Sequence, residues 1–146
     1  MPTYTVHAPA GRLSQLQKAT LATEITNTHN QHTGAQTFFA QVMFVDVPTT
    51  NWYVGGAPVE NEQIHLNGQV RSGRTKEVKQ ALLSSLAEIL AKVSGFSSNR
   101  VWVYLNELPP AFMIEYGHFL PEPGTEAQWL ASLPSQDKEL MESIGR

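Results

Sequence analysis

The sequence contains two similar units, which superpose when the chain is shifted against itself by 61 residues, the separation of Ser14 and Thr75. The matches hold one register without gaps, as expected for a duplicated unit. We therefore expect one domain over residues 1–146, with repeats at roughly residues 2–60 and 63–120 and a C-terminal tail at residues 121–146. Other matched pairs are Lys18 and Lys79, Gly34 and Gly95, Val42 and Val103, Pro48 and Pro109, and Gly56 and Gly117.

Each unit is predicted to form a strand, a helix and a second strand. Ser14 and Thr75 are candidate N-cap residues, and Gln17 follows Ser14 at the spacing of a capping box. Gly34 and Gly95 are placed to end the two helices in the left-handed conformation. The strands are expected at residues 3–8, 39–47, 63–70 and 100–108.

These elements predict an α+β fold in which two fused β-α-β units form a four-stranded sheet with both helices on one face. Segments 39–45 and 101–105 are largely apolar in both alternating sets, and such strands are usually buried on both faces. The two helices can cover only one face. We therefore expect neighbouring subunits to cover the other face, and the alternative is that the C-terminal tail folds back over it.

The C-terminal tail is rich in proline and is expected to form short helices near residues 125–133 and 135–144. The buried side of these helices is expected to contain Trp129, Leu140 and Met141. Packing or subunit contact is the role that we expect for them.

The overall composition excludes several classes of function. The formal net charge is -3, so the chain lacks the basic stripe that a nucleic-acid-binding protein needs. No apolar run approaches the roughly 20 residues of a membrane span. The absence of cysteine excludes disulfides, thiolate chemistry and cysteine-ligated zinc. Together with the lack of a signal peptide, it predicts a cytoplasmic protein.

Pro2 is the first candidate for chemistry. If Met1 is removed, the chain begins with a secondary amine, and an unperturbed α-amino group has a pKa of about 7.7–8.0. Such an amine can act as a general acid, a general base or a nucleophile. The alternative is a turn-forming proline near a chain terminus.

Arg71 and Arg74 lie between a predicted strand and a helix start, where free backbone N–H groups and the helix dipole favour an anion. Two guanidinium groups at this place suit a carboxylate or a phosphate, and the alternative is a pair of solvated surface arginines. The sequence has no P-loop pattern, so a nucleotide is not expected.

Three further side chains are candidates. Glu115 follows an apolar segment, and a carboxylate in such a place is either a general base or one end of an ion pair. Tyr104 lies on the strand face assigned to the subunit interface. His29 ends the apolar stripe of the first helix, where a hydrogen-bonded core histidine is the simpler interpretation. The other histidines show no metal-ligand spacing, so no metal site is expected.

As a set, these residues resemble the tautomerase superfamily, whose members begin with a catalytic proline. The chain is similar in particular to the cis-3-chloroacrylic acid dehalogenase group, in which two β-α-β units are fused. The resemblance runs from Pro2 to about Leu133. The matching segments are PTY at 2–4, AQV at 40–42, RSGR at 71–74, VWVY at 101–104 and EYG at 115–117, followed by FLP at 119–121 and PG at 123–124.

The resemblance implies a homotrimer that needs no cofactor or metal and acts on a small carboxylate. Pro2 would be the general acid that protonates C2 of a cis-3-haloacrylate, while Glu115, assisted by Tyr104, would activate the water that attacks C3. The product would be malonate semialdehyde, with halide released from an unstable halohydrin. The substrate carboxylate would be held by Arg71, Arg74 and His29.

The chain departs from the dehalogenase pattern at three positions. It has Ala35 in place of a threonine, Phe39 in place of a leucine and His118 in place of an arginine. A hydratase or a tautomerase for another small unsaturated acid therefore stays open, with Pro2 as general base in the tautomerase. A third alternative is an anion-binding trimer that uses the arginine pocket without turnover.

Overall fold

The computed structural model describes residues 1–60 and 62–145, and these form an α+β fold. In chain order the helices are α1 (Gln15–Thr33), α2 (Lys76–Ser94), α3 (Glu126–Ser132) and α4 (Ser135–Ser143). The strands are β1 (Thr3–Pro9), β2 (Gln41–Val47), β3 (Tyr53–Val54), β4 (Ala57–Pro58), β5 (Ile64–Arg71), β6 (Val101–Leu108), β7 (Ile114–Glu115) and β8 (His118–Phe119).

The main sheet joins the two halves of the chain side by side in the strand order β2-β1-β5-β6. Strand β2 runs parallel to β1 and β6 runs parallel to β5, while β1 and β5 pair antiparallel at the centre. Corresponding elements of the halves begin 60 or 61 residues apart, and Gln15 of α1 and Lys76 of α2 are separated by 61. The predicted α+β fold with a four-stranded sheet is confirmed.

The helix ends follow from local interactions that the sequence indicates. Ser14 and Gln17 form the reciprocal hydrogen bonds of a capping box, and the Thr75 hydroxyl accepts a hydrogen bond from the Val78 amide. Gly34 and Gly95 end the helices with φ angles of 71° and 78°, a conformation that glycine adopts without a steric penalty.

Strand β2 begins two residues later than the sequence predicts. Residues Thr37–Phe39 form a 3-10 turn, and Ser98–Arg100 form the corresponding turn before β6. The first of these turns places Phe38 and Phe39 in the lining of two cavities.

Both long helices pack on one face of the sheet, where the alternate side chains of β1 and β5 are buried. Gly68 of β5 lies against the Tyr4 ring, and a Cβ atom at this position would come within 2.6 Å of that ring. The glycine therefore leaves the space that the Tyr4 ring occupies. The rest of this core includes Val6, Leu21, Ile25, Ile64, Leu66, Leu82, Leu86 and Leu90.

The opposite face of the sheet is open in the single chain. Met43, Val45, Trp102 and Tyr104 each expose 42% or more of their surface there. The C-terminal tail leaves these side chains uncovered, so the alternative in which the tail covers this face is wrong. Within the described residues, no helix combines the length and the apolar character that crossing a membrane requires.

The tail forms both short helices that the sequence predicts, as α3 and α4. Met141 is fully buried and Trp129 is partly buried, as expected. Leu140 is 54% exposed, so its predicted burial is wrong. Consecutive side chains of a helix point about 100° apart. Because Met141 points into the core, its neighbour Leu140 points toward solvent.

Candidate active site

A cavity of about 470 Å³ lies where the end of α1, the loop before α2 and helix α3 meet. One wall is formed by Thr33, the last residue of α1, and by residues 34–36 after it. Arg71, at the end of β5, and Arg74, in the loop after it, also line the cavity. Helix α3 forms a further wall. The chain terminus lies in the same cavity, whose remaining lining includes Phe38, Phe39, Glu126, Trp129 and Leu130.

Met1 lines this cavity and is only 3% exposed. Its terminal amine donates hydrogen bonds to the Phe39 carbonyl oxygen at 2.8 Å and to Glu115 Oε2 at 2.5 Å. Burial lowers the pKa of this amine to about 5, although the charge of Glu115 acts to raise it. Pro2, the next residue, is buried, and its nitrogen is part of the Met1–Pro2 peptide bond.

Arg71 is a buried cation, and each of its two terminal nitrogens donates a hydrogen bond to another group of the protein. It is 2% exposed, and its Nη1 donates to the Pro121 carbonyl oxygen at 2.6 Å. Its Nη2 donates to the Glu126 carboxylate, which forms an ion pair with it. Only its Nε has no hydrogen-bond partner among the described residues.

Arg74 is half-buried and makes only long hydrogen bonds. Its two terminal nitrogens lie 3.4 Å from the Arg71 and Thr33 carbonyl oxygens. Burial, and then the neighbouring charge of Arg71, lower the pKa of Arg74, but a guanidinium group keeps its proton in proteins. Most of the donor capacity of Arg74 is therefore available to a ligand in the cavity.

His29 is buried and hydrogen-bonded to Tyr4. Its Nδ1 lies 2.7 Å from the Tyr4 hydroxyl, and burial raises the pKa of Tyr4, so the hydroxyl keeps its proton and donates it to Nδ1. Nε2 then carries the imidazole proton, and it has no partner among the described residues. Burial, and then Arg74, lower the pKa of His29 to about 3, so the ring is neutral near pH 7.

Glu115 reaches the amine from the other side. It lies on β7 and lines a second cavity of about 750 Å³, which shares Phe38 and Phe39 with the first. The next residue, Tyr116, has a φ of 53° and donates a hydrogen bond from its hydroxyl to the Phe38 carbonyl oxygen. The terminal amine therefore lies between a cavity with two arginines and a cavity with a carboxylate.

Of the predicted site residues, Arg71 and Arg74 line the first cavity and Glu115 lines the second. Pro2 and His29 are buried beside them without lining either cavity, and Tyr104 lies on a different surface. It lies on the open face of the sheet, is 53% exposed and has its ring centre 4.9 Å from that of His65. Its part in the site stays a prediction that requires a neighbouring subunit.

Sequence reasoning missed the contribution of the tail to this site. It assigned α3 to packing, whereas Glu126 and Trp129 of α3 line the arginine cavity. A glutamate at the start of a short helix is too common to signal such a role. Of the three departures from the dehalogenase pattern, Ala35 and Phe39 line the cavity, while His118 lies 2.8 Å from the Asp137 carboxylate.

The described part of the chain holds no group of three histidine, aspartate or glutamate side chains arranged to bind a metal ion. The first cavity is instead lined by the Met1 amine, two guanidinium groups and the Glu126 carboxylate, and Glu115 contacts that amine from the second cavity. This set can bind an organic anion and exchange protons with it.

Comparisons with known proteins agree with this description. Residues 1–132 match the profile of a family described as a putative oxalocrotonate tautomerase enzyme. The crystal structure of N1, a member of the cis-3-chloroacrylic acid dehalogenase (cis-CaaD) family, is 33% identical, with 97% of this chain and 99% of that chain covered and a TM-score of 0.94. No protein with a curated description matches the sequence.

More distant structures share the fold. A fused 4-OT wild-type asymmetric trimer is 24% identical, with 80% of this chain and 94% of that chain covered and a TM-score of 0.75. Macrophage migration inhibitory factor of Toxoplasma gondii is 14% identical, with 77% of this chain and 95% of that chain covered and a TM-score of 0.63.

Two fused β-α-β units with a terminal amine between an arginine pair and a carboxylate define a tautomerase-type protein. The chain belongs to the tautomerase superfamily and, within it, to the cis-CaaD-like group, so the family resemblance found in the sequence is confirmed.

Proposed function

We propose that this protein adds water to a cis-3-haloacrylate or a similar small unsaturated carboxylic acid, without a cofactor. The observation that carries the proposal is the 2.5 Å contact between the Met1 amine and the Glu115 carboxylate, next to a cavity with two arginines. Adding water across a double bond requires a base at one carbon and an acid at the next. A carboxylate and an amine in contact can supply such a pair.

In the proposed reaction, Arg74 and His29 bind the substrate carboxylate, and Arg71 adds positive charge. Glu115 takes a proton from water while the water oxygen forms a bond to C3. The π electrons move into an enediolate that the guanidinium groups stabilise, and the amine then protonates C2. With a halogen on C3, the resulting halohydrin loses hydrogen halide and gives malonate semialdehyde.

The proposed acid is the amine of Pro2, which exists only after removal of Met1. Loss of the buried Met1 side chain would enlarge the arginine cavity and leave Glu115 and the Phe39 carbonyl oxygen without their present donor. Burial would act on the Pro2 amine as it does on the Met1 amine, lowering its pKa. A bound carboxylate would raise that pKa again and favour the protonated form that the reaction needs.

We further propose a cytoplasmic homotrimer in which the open sheet face meets neighbouring subunits. The exposure of Trp102 and Tyr104 on this face supports the assembly, and a related fused 4-OT structure is named as a trimer. Tyr104 would then face a neighbouring subunit and assist its Glu115. Sedimentation tests the assembly, since Trp102→Glu is expected to break a trimer into smaller species.

One observation favours a second function, a tautomerase in which the amine acts as general base. Burial lowers the pKa of the Met1 amine to about 5, and the same effect on the Pro2 amine would favour its unprotonated form near pH 7. Such an enzyme would act on an enol such as phenylenolpyruvate. Its activity would require Pro2 but depend little on Glu115.

Intact-mass measurement first establishes whether the purified chain begins at Met1 or at Pro2. Halide release from cis-3-chloroacrylate and ketonisation of phenylenolpyruvate are then measured for the wild type, Pro2→Ala and Glu115→Gln. For the hydratase, each substitution is expected to reduce halide release by about 100-fold or more, the usual range for a general acid or base. For the tautomerase, only Pro2→Ala is expected to reduce turnover.

Wild-type turnover in Pro2→Ala would contradict both functions. Anion binding without any turnover would support the non-catalytic alternative.

A further inference from the structure

The chain places a carboxylate of its own in the arginine cavity. Glu126, the first residue of α3, accepts a hydrogen bond from Arg71 through Oε1 and one from the Gly124 backbone N–H through Oε2, at 2.8 Å. Both carboxylate oxygens are therefore fixed. The contact joins the tail to the end of β5, 55 residues earlier in the sequence.

Glu126 carries its negative charge under ordinary conditions. Partial burial acts to raise the pKa of Glu126, but hydrogen bonds from Arg71 and from backbone amides outweigh that effect and lower it. Its side chain is 42% exposed, whereas the Arg71 side chain is 2% exposed. The buried cation is thus matched by an anion at the edge of the cavity.

The two arginines consequently differ in what they offer a ligand. Among the described residues that line the cavity, the charged side chains are Arg71, Arg74 and Glu126. Glu126 balances the charge of Arg71, and Pro121 takes another donor of that guanidinium. With the residues that the structure describes, Arg74 forms only two contacts of 3.4 Å, so its charge is the one left for an incoming carboxylate.

The rest of the cavity offers little to a second negative charge. Phe38, Phe39, Trp129 and Leu130 form an apolar part of its lining. A second carboxylate placed against these apolar side chains would lose hydration without gaining a cation, and near Arg71 it would be repelled by Glu126.

We propose that Glu126 is a specificity-determining residue that restricts this site to substrates with a single carboxylate. The inference rests on the proposed function, because it concerns the same arginine cavity. Loss of the Glu126 charge would free Arg71 for a second carboxylate. A dianion gains more than a monoanion from this change, because it interacts twice with the added positive potential.

The test compares the binding of acrylate and maleate, a mono- and a dicarboxylate with the same double bond, by calorimetry. Wild-type protein is expected to bind acrylate about tenfold more tightly than maleate, and Glu126→Gln to raise the maleate-to-acrylate affinity ratio by about tenfold, which corresponds to about 1.4 kcal/mol. Glu122→Gln is the matched control, since it removes the same charge from an exposed residue of the tail and should leave the ratio unchanged.

Equal binding of the two anions by the wild type, or an unchanged ratio in Glu126→Gln, would overturn the proposal. Glu126→Asp separates charge from structure, because it keeps the negative charge and should keep the wild-type preference even if stability falls. If Glu126→Asp shifts the ratio as much as Glu126→Gln does, charge is not the cause and the proposal fails. Anion binding does not require turnover, so this result is independent of whether water addition is the correct reaction.

Discussion

The Tyr4 hydroxyl and His29 Nδ1 lie 2.7 Å apart in a buried hydrogen bond that joins β1 to α1. This bond determines which nitrogen of His29 carries the proton, and it leaves Nε2 as a donor without a partner among the described residues. A buried donor without a partner costs free energy, which a bound carboxylate would recover. The core of the fold therefore prepares one of the groups that we propose for binding.

Replacement of Tyr4 by phenylalanine is expected to weaken both the fold and the site. The free energy of unfolding should fall by about 1 kcal/mol, the usual net contribution of one hydrogen bond. Acrylate should bind several-fold more weakly, because Nδ1 no longer selects the tautomer with a proton on Nε2. Urea denaturation and calorimetry measure the two effects. Tyr53→Phe, which alters an exposed tyrosine of β3, is the control, and equal behaviour of the two variants would contradict the assignment.

His29 is also expected to make stability depend on pH. Burial, and then Arg74, hold the pKa of His29 at about 3 in the folded protein, against 6.5 for an unperturbed histidine. Between these values the unfolded chain binds more protons than the folded one, so stability falls as the pH is lowered through this window. Protonation of His29 should lower the free energy of unfolding by up to about 1.4 kcal/mol for each pH unit in this window.

Urea denaturation between pH of about 4 and 6 measures this dependence in the wild type and in His29→Gln. The variant cannot take up the proton, so its stability should change less with pH. Identical pH dependence in the two proteins would show that His29 does not titrate in the way that its burial implies.

Arg71 and Arg74 are expected to respond differently to replacement by methionine. Arg71→Met removes buried hydrogen bonds to Glu126 and Pro121, and should lower the free energy of unfolding by about 2–3 kcal/mol. Arg74→Met should cost less than about 1 kcal/mol, because the contacts of Arg74 are long. It should nevertheless weaken acrylate binding by about tenfold or more, a loss of about 1.4 kcal/mol.

Denaturation curves and calorimetry on both variants separate these two roles. A similar loss of stability in Arg71→Met and Arg74→Met would mean that the two guanidinium groups are equivalent. That result would remove the distinction between a cation paired within the protein and a cation left for the ligand.

If Tyr104 assists the Glu115 of a neighbouring subunit, two inactive variants should restore activity when they share a trimer. Tyr104→Phe subunits keep Glu115, and Glu115→Gln subunits keep Tyr104, so a mixed trimer contains sites with both groups intact. The two proteins are unfolded, mixed and refolded, and native mass spectrometry confirms mixed assemblies. Mixed trimers without any recovery of turnover would exclude action across the interface.

The sequence alone determined the course of the backbone. The capping box at Ser14, the cap at Thr75 and the glycines at 34 and 95 act within one helical turn, so short segments contain the information that ends each helix. The apolar segments 39–45 and 101–105 likewise indicated strands. Both short tail helices were predicted, but Leu140 was placed on the wrong side, because periodicity in so short a helix does not define the inward direction.

Tertiary structure decided which charged groups meet. The Met1 amine reaches Glu115 across 114 residues of sequence, and Arg71 reaches Glu126 across 55. Local pattern identified Pro2, Arg71, Arg74, Glu115, His29 and Tyr104 as candidates and placed Tyr104 on the face that the helices leave open. It could not show that Glu126 balances one arginine. Such pairings depend on the packing of distant elements, and the energy of a contact between two charges depends on the burial that this packing creates.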